Sequence, residues 1–210
     1  MTSRERVLTA LKGKQPDRVP WVESSIHNTL VEKLLQRRDF ERATVTQLFA
    51  MPGARFSPAV FEVLAVDNTN FSIAPPRYVK SQTFEGMDII LDGLIKEEKD
   101  LEKISLPNPD DDAFYQPARE FVARFRDSNR ALGVTTRIGV SNTYLSMGIE
   151  HFSLQLYDNP DFVFRILDLF VSWAEKAVTK INELGFYFLI VPEDLAWKQG
   201  CYKLMLLSSV

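Results

Sequence analysis

The sequence predicts an α/β fold: about four parallel strands forming the N-terminal half of a (β/α)8 barrel, with a small antiparallel meander inserted. Three observations carry this expectation. Strand-like apolar runs alternate with helix-period segments, and that alternation implies a parallel sheet. Residues 185–200, GFYFLIVPEDLAWKQG, read as a buried strand that leaves a glycine and delivers two carboxylates to a loop. Residues 78–98 differ in character, with turn signals at Glu85-Gly86 and Asp92-Gly93 between partly alternating runs.

Taken in order, Thr2 and Glu5 form a capping box ahead of an apolar stripe of Val7, Leu8, Ala10 and Leu11, and Gly13 ends the helix. A turn at Pro16-Asp17 leads to a short first strand, Val19 to Val22, with Pro20 suited only to a strand start or an edge. Residues 28–37, 44–50 and 57–65 read as helices. AVDNTNFSIAPP, residues 65–76, reads as the second core strand, closed by Pro75-Pro76.

After the meander, Asp110 to Asp112 favour a helix N-terminus over a metal site, because acids complement the dipole there. That helix is expected to run to about Leu132. GVTTRIGVS, residues 133–141, is the third core strand, with Arg137 inside it. A short helix follows within residues 147–160. Asn159 then caps a long helix with Pro160 at its first position. Its stripe is Val163, Ile166, Leu167, Phe170, Trp173, Ala174, Ala177, Ile181 and Leu184, and Gly185 ends it. The fourth strand is Phe186 to Val191. A full barrel takes roughly 250 residues, so four strands in 210 residues amount to one half. Residues 1–200 form that domain. Residues 201–210, CYKLMLLSSV, continue no strand-turn-helix pattern and look like an anomalous tail, as from a frameshift or splice event. A complete small open α/β domain is the alternative.

Composition narrows the function classes. The formal net charge is -3 with no basic stripe, which gives nucleic-acid or membrane-surface binding no electrostatic basis. The single cysteine, Cys201, excludes an internal disulfide framework. The charged amphipathic N-terminus is unlike a signal peptide, and no apolar run approaches the roughly 20 residues of a membrane span. A cytoplasmic protein is expected.

Two stretches carry a family resemblance. MTSRERVLTALKGKQPDRVPW (1–21) resembles the opening of the uroporphyrinogen decarboxylase superfamily, a helix and a Pro-Asp-Arg turn into the first strand. Residues 148–196 resemble its middle, where a glycine-anchored helix, an Asn-Pro-Asp start and a long helix lead to an acidic strand end. The resemblance spans about residues 1–200 and implies a TIM barrel. It also implies one of two chemistries. One is decarboxylation of uroporphyrinogen acetates without metal or cofactor. The other is methyl transfer between corrinoid proteins and thiols such as coenzyme M, through a zinc-bound thiolate.

The decarboxylase pattern is largely missing. VESSIHNTLVEKLLQRR (22–38) has no arginine before Arg37 where that pattern places its carboxylate-binding run, and Ile73 stands where it places its aspartate. Tyr144 matches the pattern's third-strand tyrosine only loosely. The methyltransferase-like branch fits better. Its implied zinc ligands, a His-x-Cys pair and a later cysteine, would belong to a second half. The chain itself is expected to hold no cofactor, with zinc and a corrinoid belonging to a full-length form. The implied partners are a tetrapyrrole or a corrinoid protein, with a homodimer or a complementing C-terminal half closing the barrel. The reading from another class is a catalytically inert truncated fragment or interaction module.

The candidate catalytic residues are Glu193 and Asp194, at the exit of the fourth strand, where β/α barrels build their sites. Set against that role is helix capping. Arg137, His27 and Asp67 are the candidate substrate-binding residues. Arg137 would bind an anion or pair with an acid such as Asp67 or Glu23. His27 would face the pocket mouth or cap a helix. Asp67 would point into the site if its strand were 60–67, and would sit at the opposite, stability face if the strand ran on to Ile73. His151 reads as packing, and Phe162, Phe170 and Trp173 as a core face.

Overall fold

The computed structural model describes residues 1–43, 52–84, 87–193 and 205–206. Six helices are described: α1 Ser3–Leu11, α2 Asn28–Leu35, α3 Gln116–Phe125, α4 Val140–Met147, α5 Ile149–Asp158 and α6 Pro160–Glu183. The strands are β1 Gly53–Ala54, β2 Asn68–Ser72, β3 Val79–Phe84, β4 Met87–Gly93, β5 Ala131–Thr135, β6 Phe188–Ile190 and β7 Met205–Leu206.

One mixed sheet has the order β1-β2-β5-β6, continued by β7. β2, β5 and β6 are parallel, with Asn68 opposite Ala131 and Gly133 opposite Phe188. β1 is antiparallel to β2, and β7 is antiparallel to β6. The described residues thus hold three parallel strands, and they do not close a barrel. The expected first strand, Val19 to Val22, does not form. Pro20 cannot donate to a ladder, and Asp67 and Asn68, at the start of β2, strap this segment instead. Asp67 N–H donates to Trp21 O (2.8 Å), Trp21 N–H to Asp67 Oδ2 (2.8 Å), and Glu23 N–H to Asn68 Oδ1 (3.0 Å).

Burial explains the layers. Along the sheet, Phe71, Ile73, Leu132, Val134 and Leu189 point to one face. There they meet Ala118, Phe121 and Val122 of α3 and Trp173, Ala174, Ala177 and Ile181 of α6. The stripe expected for α6 is therefore the one it buries, with Leu167 and Leu184 partly exposed. Trp173 Nε1 satisfies itself on Pro107 O at 2.8 Å. Alternation sends Asn68, Asn70, Ser72 and Thr135 to the other face, all buried. Gly133 permits this arrangement, because a Cβ there would lie 2.6 Å from the Phe188 ring and 2.9 Å from Asn70 Oδ1.

Several boundaries differ from expectation. The helix after Asp110 to Asp112 is a 3-10 turn, Asp112–Tyr115, running into α3, and it ends at Phe125 rather than near Leu132. Residues 126–130, RDSNR, favour turns. The Arg4 guanidinium caps the freed carbonyls of Arg126 and Ser128. The third strand begins at Ala131 and ends at Thr135, so Arg137 lies in the following loop. Residues 57–65 form only a 3-10 turn, Pro58–Glu62. Asn159 precedes α6 without capping it through its side chain. The short helix expected within 147–160 is α5, and α4 precedes it. The 44–50 helix lies outside the described residues.

The excursion at 78–98 is a single hairpin of β3 and β4. Its Glu85-Gly86 turn lies outside the described residues, and Asp92-Gly93 ends β4 rather than making a second turn. Gly93 meets the α4–α5 junction so closely that a Cβ would lie 2.3 Å from Gly148 N, Met147 C and Ser146 O. Among the described residues, no helix is long and apolar enough to cross a membrane.

Candidate functional site

The carboxyl ends of β2, β5 and β6 converge on a polar cluster. After β2 the chain runs Ile73-Ala74-Pro75-Pro76-Arg77, and two prolines with no N–H stop the ladder. Asn142 of α4 secures this turn, its Nδ2 donating to Pro75 O (3.2 Å) and Pro76 O (3.1 Å). Ser146 Oγ accepts from Tyr78 N–H at 3.2 Å. Arg77 is thereby held on both sides over α4.

After β5, Thr136 N–H donates to Ile190 O at 3.1 Å. Arg137 follows, its Nη1 donating to Ser141 Oγ (2.8 Å) and Pro192 O (2.9 Å). After β6, Glu193 turns back onto the start of α4. Its Oε1 accepts from Ile138 N–H (3.2 Å) and its Oε2 from Ser141 N–H (2.6 Å). A carboxylate is favoured at that helix end by the exposed N–H groups and the dipole. Arg55, just past β1, donates from Nε to Ser24 O at 2.9 Å.

Arg77 stands apart from these bonded groups. Arg77 is 7% exposed, and its Nε and Nη1 are buried without a hydrogen-bond partner among the described residues. Burial pushes the Arg77 guanidinium down to about 9; Arg137 and Arg55 push the same way, against Tyr144 and Glu193. Burial and Arg137 lower Arg55 as well. A guanidinium keeps its proton at neutral pH, so Arg77 is a buried cation with no hydrogen-bonded carboxylate at Nε or Nη1 among the described residues. Thr136 Oγ1, Asn70 Oδ1 and Asn142 Oδ1 are also buried without partners here.

The expected site residues divide. Glu193 and Arg137 come together at this edge. Both oxygens of Glu193 are engaged by backbone N–H groups, so its placement is that of an anchor for α4. Asp194 lies outside the described residues. Asp67 precedes β2, at the opposite end of the sheet, fully buried between Arg6 and Arg18. That is the stability-face placement. Arg137 pairs with neither Asp67 nor Glu23 through any described contact: Asp67 is taken by Arg6 and Arg18, and Glu23 Oε1 accepts from Trp21 Nε1 at 2.8 Å. His27 is the N-cap of α2, its Nδ1 accepting from Thr29 N–H at 3.2 Å. Ile73 packs in the helix-facing core. Arg77 and Arg55 went unrecognised as partners of Arg137 in one cluster. The Pro-Pro-Arg run at the end of a strand was the available signal.

No three His, Cys, Asp or Glu side chains among the described residues come together as metal ligands. Asp111 Oδ1 caps Ala113 N–H at 2.9 Å, and Asp110 and Asp112 pair with Lys176 and Arg119. A separate cavity of about 670 Å³ lies between β4 and α5, lined by Leu91, Asp92, Lys96, Glu150, His151 and Leu154 among others.

No family model matches the sequence, and no curated protein matches it. Among solved structures, the chain is similar to a methyltransferase from Methanosarcina mazei, with TM-score 0.57 and 12% identity. The alignment covers 91% of this chain and 58% of that one, so this chain spans little more than half of that protein. The likeness is one of fold.

Proposed function

We propose that this chain is the N-terminal part of a methyltransferase-like protein of the uroporphyrinogen decarboxylase type, acting on a corrinoid-linked methyl group or a related tetrapyrrole. The observation that carries the reading is the cation-rich cluster at the carboxyl ends of β2, β5 and β6, on a fold similar to a methyltransferase. Parallel α/β folds bind their ligands at that edge. Ile73, fully buried and facing the helices, supplies no carboxylate to stabilise a decarboxylation. Methyl transfer is therefore favoured over lyase chemistry.

The described residues do not form a zinc site. Their contribution is to bind and orient. Arg77, Arg55 and Arg137 supply positive potential, and Glu193 holds the first turn of α4 in place. A corrinoid protein and a complementing second half, or a second copy, are the proposed partners. The test is to mix the chain with methylcobalamin and a thiol, with zinc, and follow the visible spectrum with and without added C-terminal half. Methyl-group loss that needs both halves supports the reading. No spectral change with methylcobalamin, alongside saturable uroporphyrinogen binding, would replace it with the tetrapyrrole one.

A second reading, an interaction module without catalysis, has its own observation. α5 buries none of its residues, and Ile149, Leu154 and Tyr157 stand 65%, 55% and 89% exposed. A homogeneous complex with a partner but no reaction with either cofactor class would favour it.

A further inference from the structure

We propose that Arg77, flanked by Arg55, Arg137 and Tyr144, forms a binding site for the oxyanion group of a small ligand: a carboxylate, sulfonate or phosphate. The inference rests on the reading of the carboxyl edge as the ligand site, and not on methyl transfer.

Contrast within the molecule is the first argument. Its other enclosed arginines are matched. Arg6 pairs with Asp17 at 2.7 Å and Asp67 at 2.6 Å. Arg130 donates to Val66 O and lies over the Phe61 ring. Arg77 is as buried as Arg6, yet its Nε and Nη1 have no hydrogen-bond partner among the described residues. A buried charge without a partner is costly to fold. An oxyanion, which takes parallel N–H donors from a guanidinium, removes that cost on binding.

Charge around Arg77 is the second. The guanidiniums of Arg55 and Arg137 press on Arg77, and Glu193 opposes them. Both oxygens of Glu193 already accept from backbone N–H groups at the start of α4. An anion at Nε and Nη1 of Arg77 would supply the acceptor that these two buried groups lack among the described residues.

Preorganisation is the third. Asn142 fixes the carbonyls of Pro75 and Pro76, and Ser146 fixes the N–H of Tyr78. The backbone on either side of Arg77 is set before any ligand arrives, which lowers the ordering cost of binding. Thr136 Oγ1, buried and unpaired, offers a hydroxyl donor from the neighbouring strand end.

The test is isothermal titration of the full chain at low ionic strength with three probes: inorganic phosphate, methanesulfonate and acetate. Saturable binding of at least one is expected, and the strongest identifies the source of the oxyanion. R77Q is expected to weaken it at least tenfold, and R77K to recover part, since it keeps the charge but not the planar fork. R126Q, on an exposed side chain, should bind as the parent does. Without anion, R77Q should melt at or above the parent temperature, because it removes an uncompensated buried cation. The proposal is overturned by no saturable binding of any probe, by unchanged affinity in R77Q, or by an R77Q that melts several degrees lower without anion. Arg77-dependent binding without methyl transfer would leave this inference standing and remove only the proposed reaction; methyl transfer with no anion binding would do the reverse.

Discussion

Arg6 Nη1 lies 2.6 Å from Oδ1 of Asp67, a carboxylate with no solvent exposure. Arg18 Nη2 reaches the same oxygen at 2.9 Å, and Trp21 N–H takes the other at 2.8 Å. One side chain thus ties α1 and the 17–23 segment to the start of β2. Replacing Asp67 with alanine leaves Arg6 with Asp17 as its carboxylate partner and deprives Trp21 N–H and Arg18 Nη2 of their acceptor. We expect D67A to lose about 3–5 kcal/mol, the usual cost of removing one partner of a buried pair. Urea unfolding checks this; a loss under ~1 kcal/mol would mean the network is peripheral.

The same residue predicts a pH dependence. Burial pushes the Asp67 carboxyl up, but hydrogen bonds from Trp21 N–H, Ser3, Arg6 and Arg18 outweigh it and hold the carboxyl below its ordinary range. An unfolded aspartate titrates near ~3.9. Between the folded and unfolded values the unfolded chain binds more protons, so stability rises with pH there. The contribution is complete at neutral pH, starts to fall near ~4, and is gone below the folded value. Unfolding free energy of the parent should therefore drop more steeply than that of D67N as pH falls from about 5 to 3. Parallel curves would assign the acid sensitivity to other carboxylates.

Gly93 is where the hairpin meets the main body. A methyl group there would collide with backbone at 2.3 Å, and backbone cannot swing aside as a side-chain tip can. G93A should cost about 1–3 kcal/mol, the range for overpacking. Hydrogen exchange should locate the loosening at Ile95 and Ser146, whose backbone bond of 2.8 Å joins the two parts.

Glu193 separates a helix anchor from a catalytic acid. E193Q keeps one acceptor oxygen but loses the charge facing the α4 N-terminus. It should lower stability by about 1 kcal/mol through the dipole and one hydrogen bond. A variant that is fully stable yet unable to react would instead give Glu193 a chemical role.

Much of the fold was legible because its signals are local. The Thr2–Glu5 capping box, with Thr2 N–H to Glu5 Oε2 at 2.8 Å, and the α6 stripe follow from spacing alone. The parallel β2, β5 and β6 followed from alternation of elements. Other features rest on contacts distant in sequence. Val19 to Val22 has strand composition, but its partners are the side chains of Asp67 and Asn68. The end of α3 depends on Arg4, more than a hundred residues away. At the site, Glu193 was legible as an acid at a strand exit, and Arg137 as a charged residue near the end of its strand. Arg77 was legible too as an arginine near a strand end; its burial and its lack of a partner at Nε and Nη1 among the described residues were not, because neither has a sequence signature. Arg55 joins it only through the tertiary fold.

The most direct test of the cationic edge is a two-dimensional ¹⁵N correlation spectrum, including arginine Nε–H signals, recorded as phosphate, methanesulfonate or acetate is titrated in at low salt. If the edge binds oxyanions, the Arg77 Nε–H signal shifts saturably, together with amides of Thr136, Arg137, Asn142 and Tyr144. Shifts confined to Asp92, Lys96 and His151 would place ligand binding in the cleft between β4 and α5 instead, and contradict the assignment of the site to the carboxyl ends of the parallel strands.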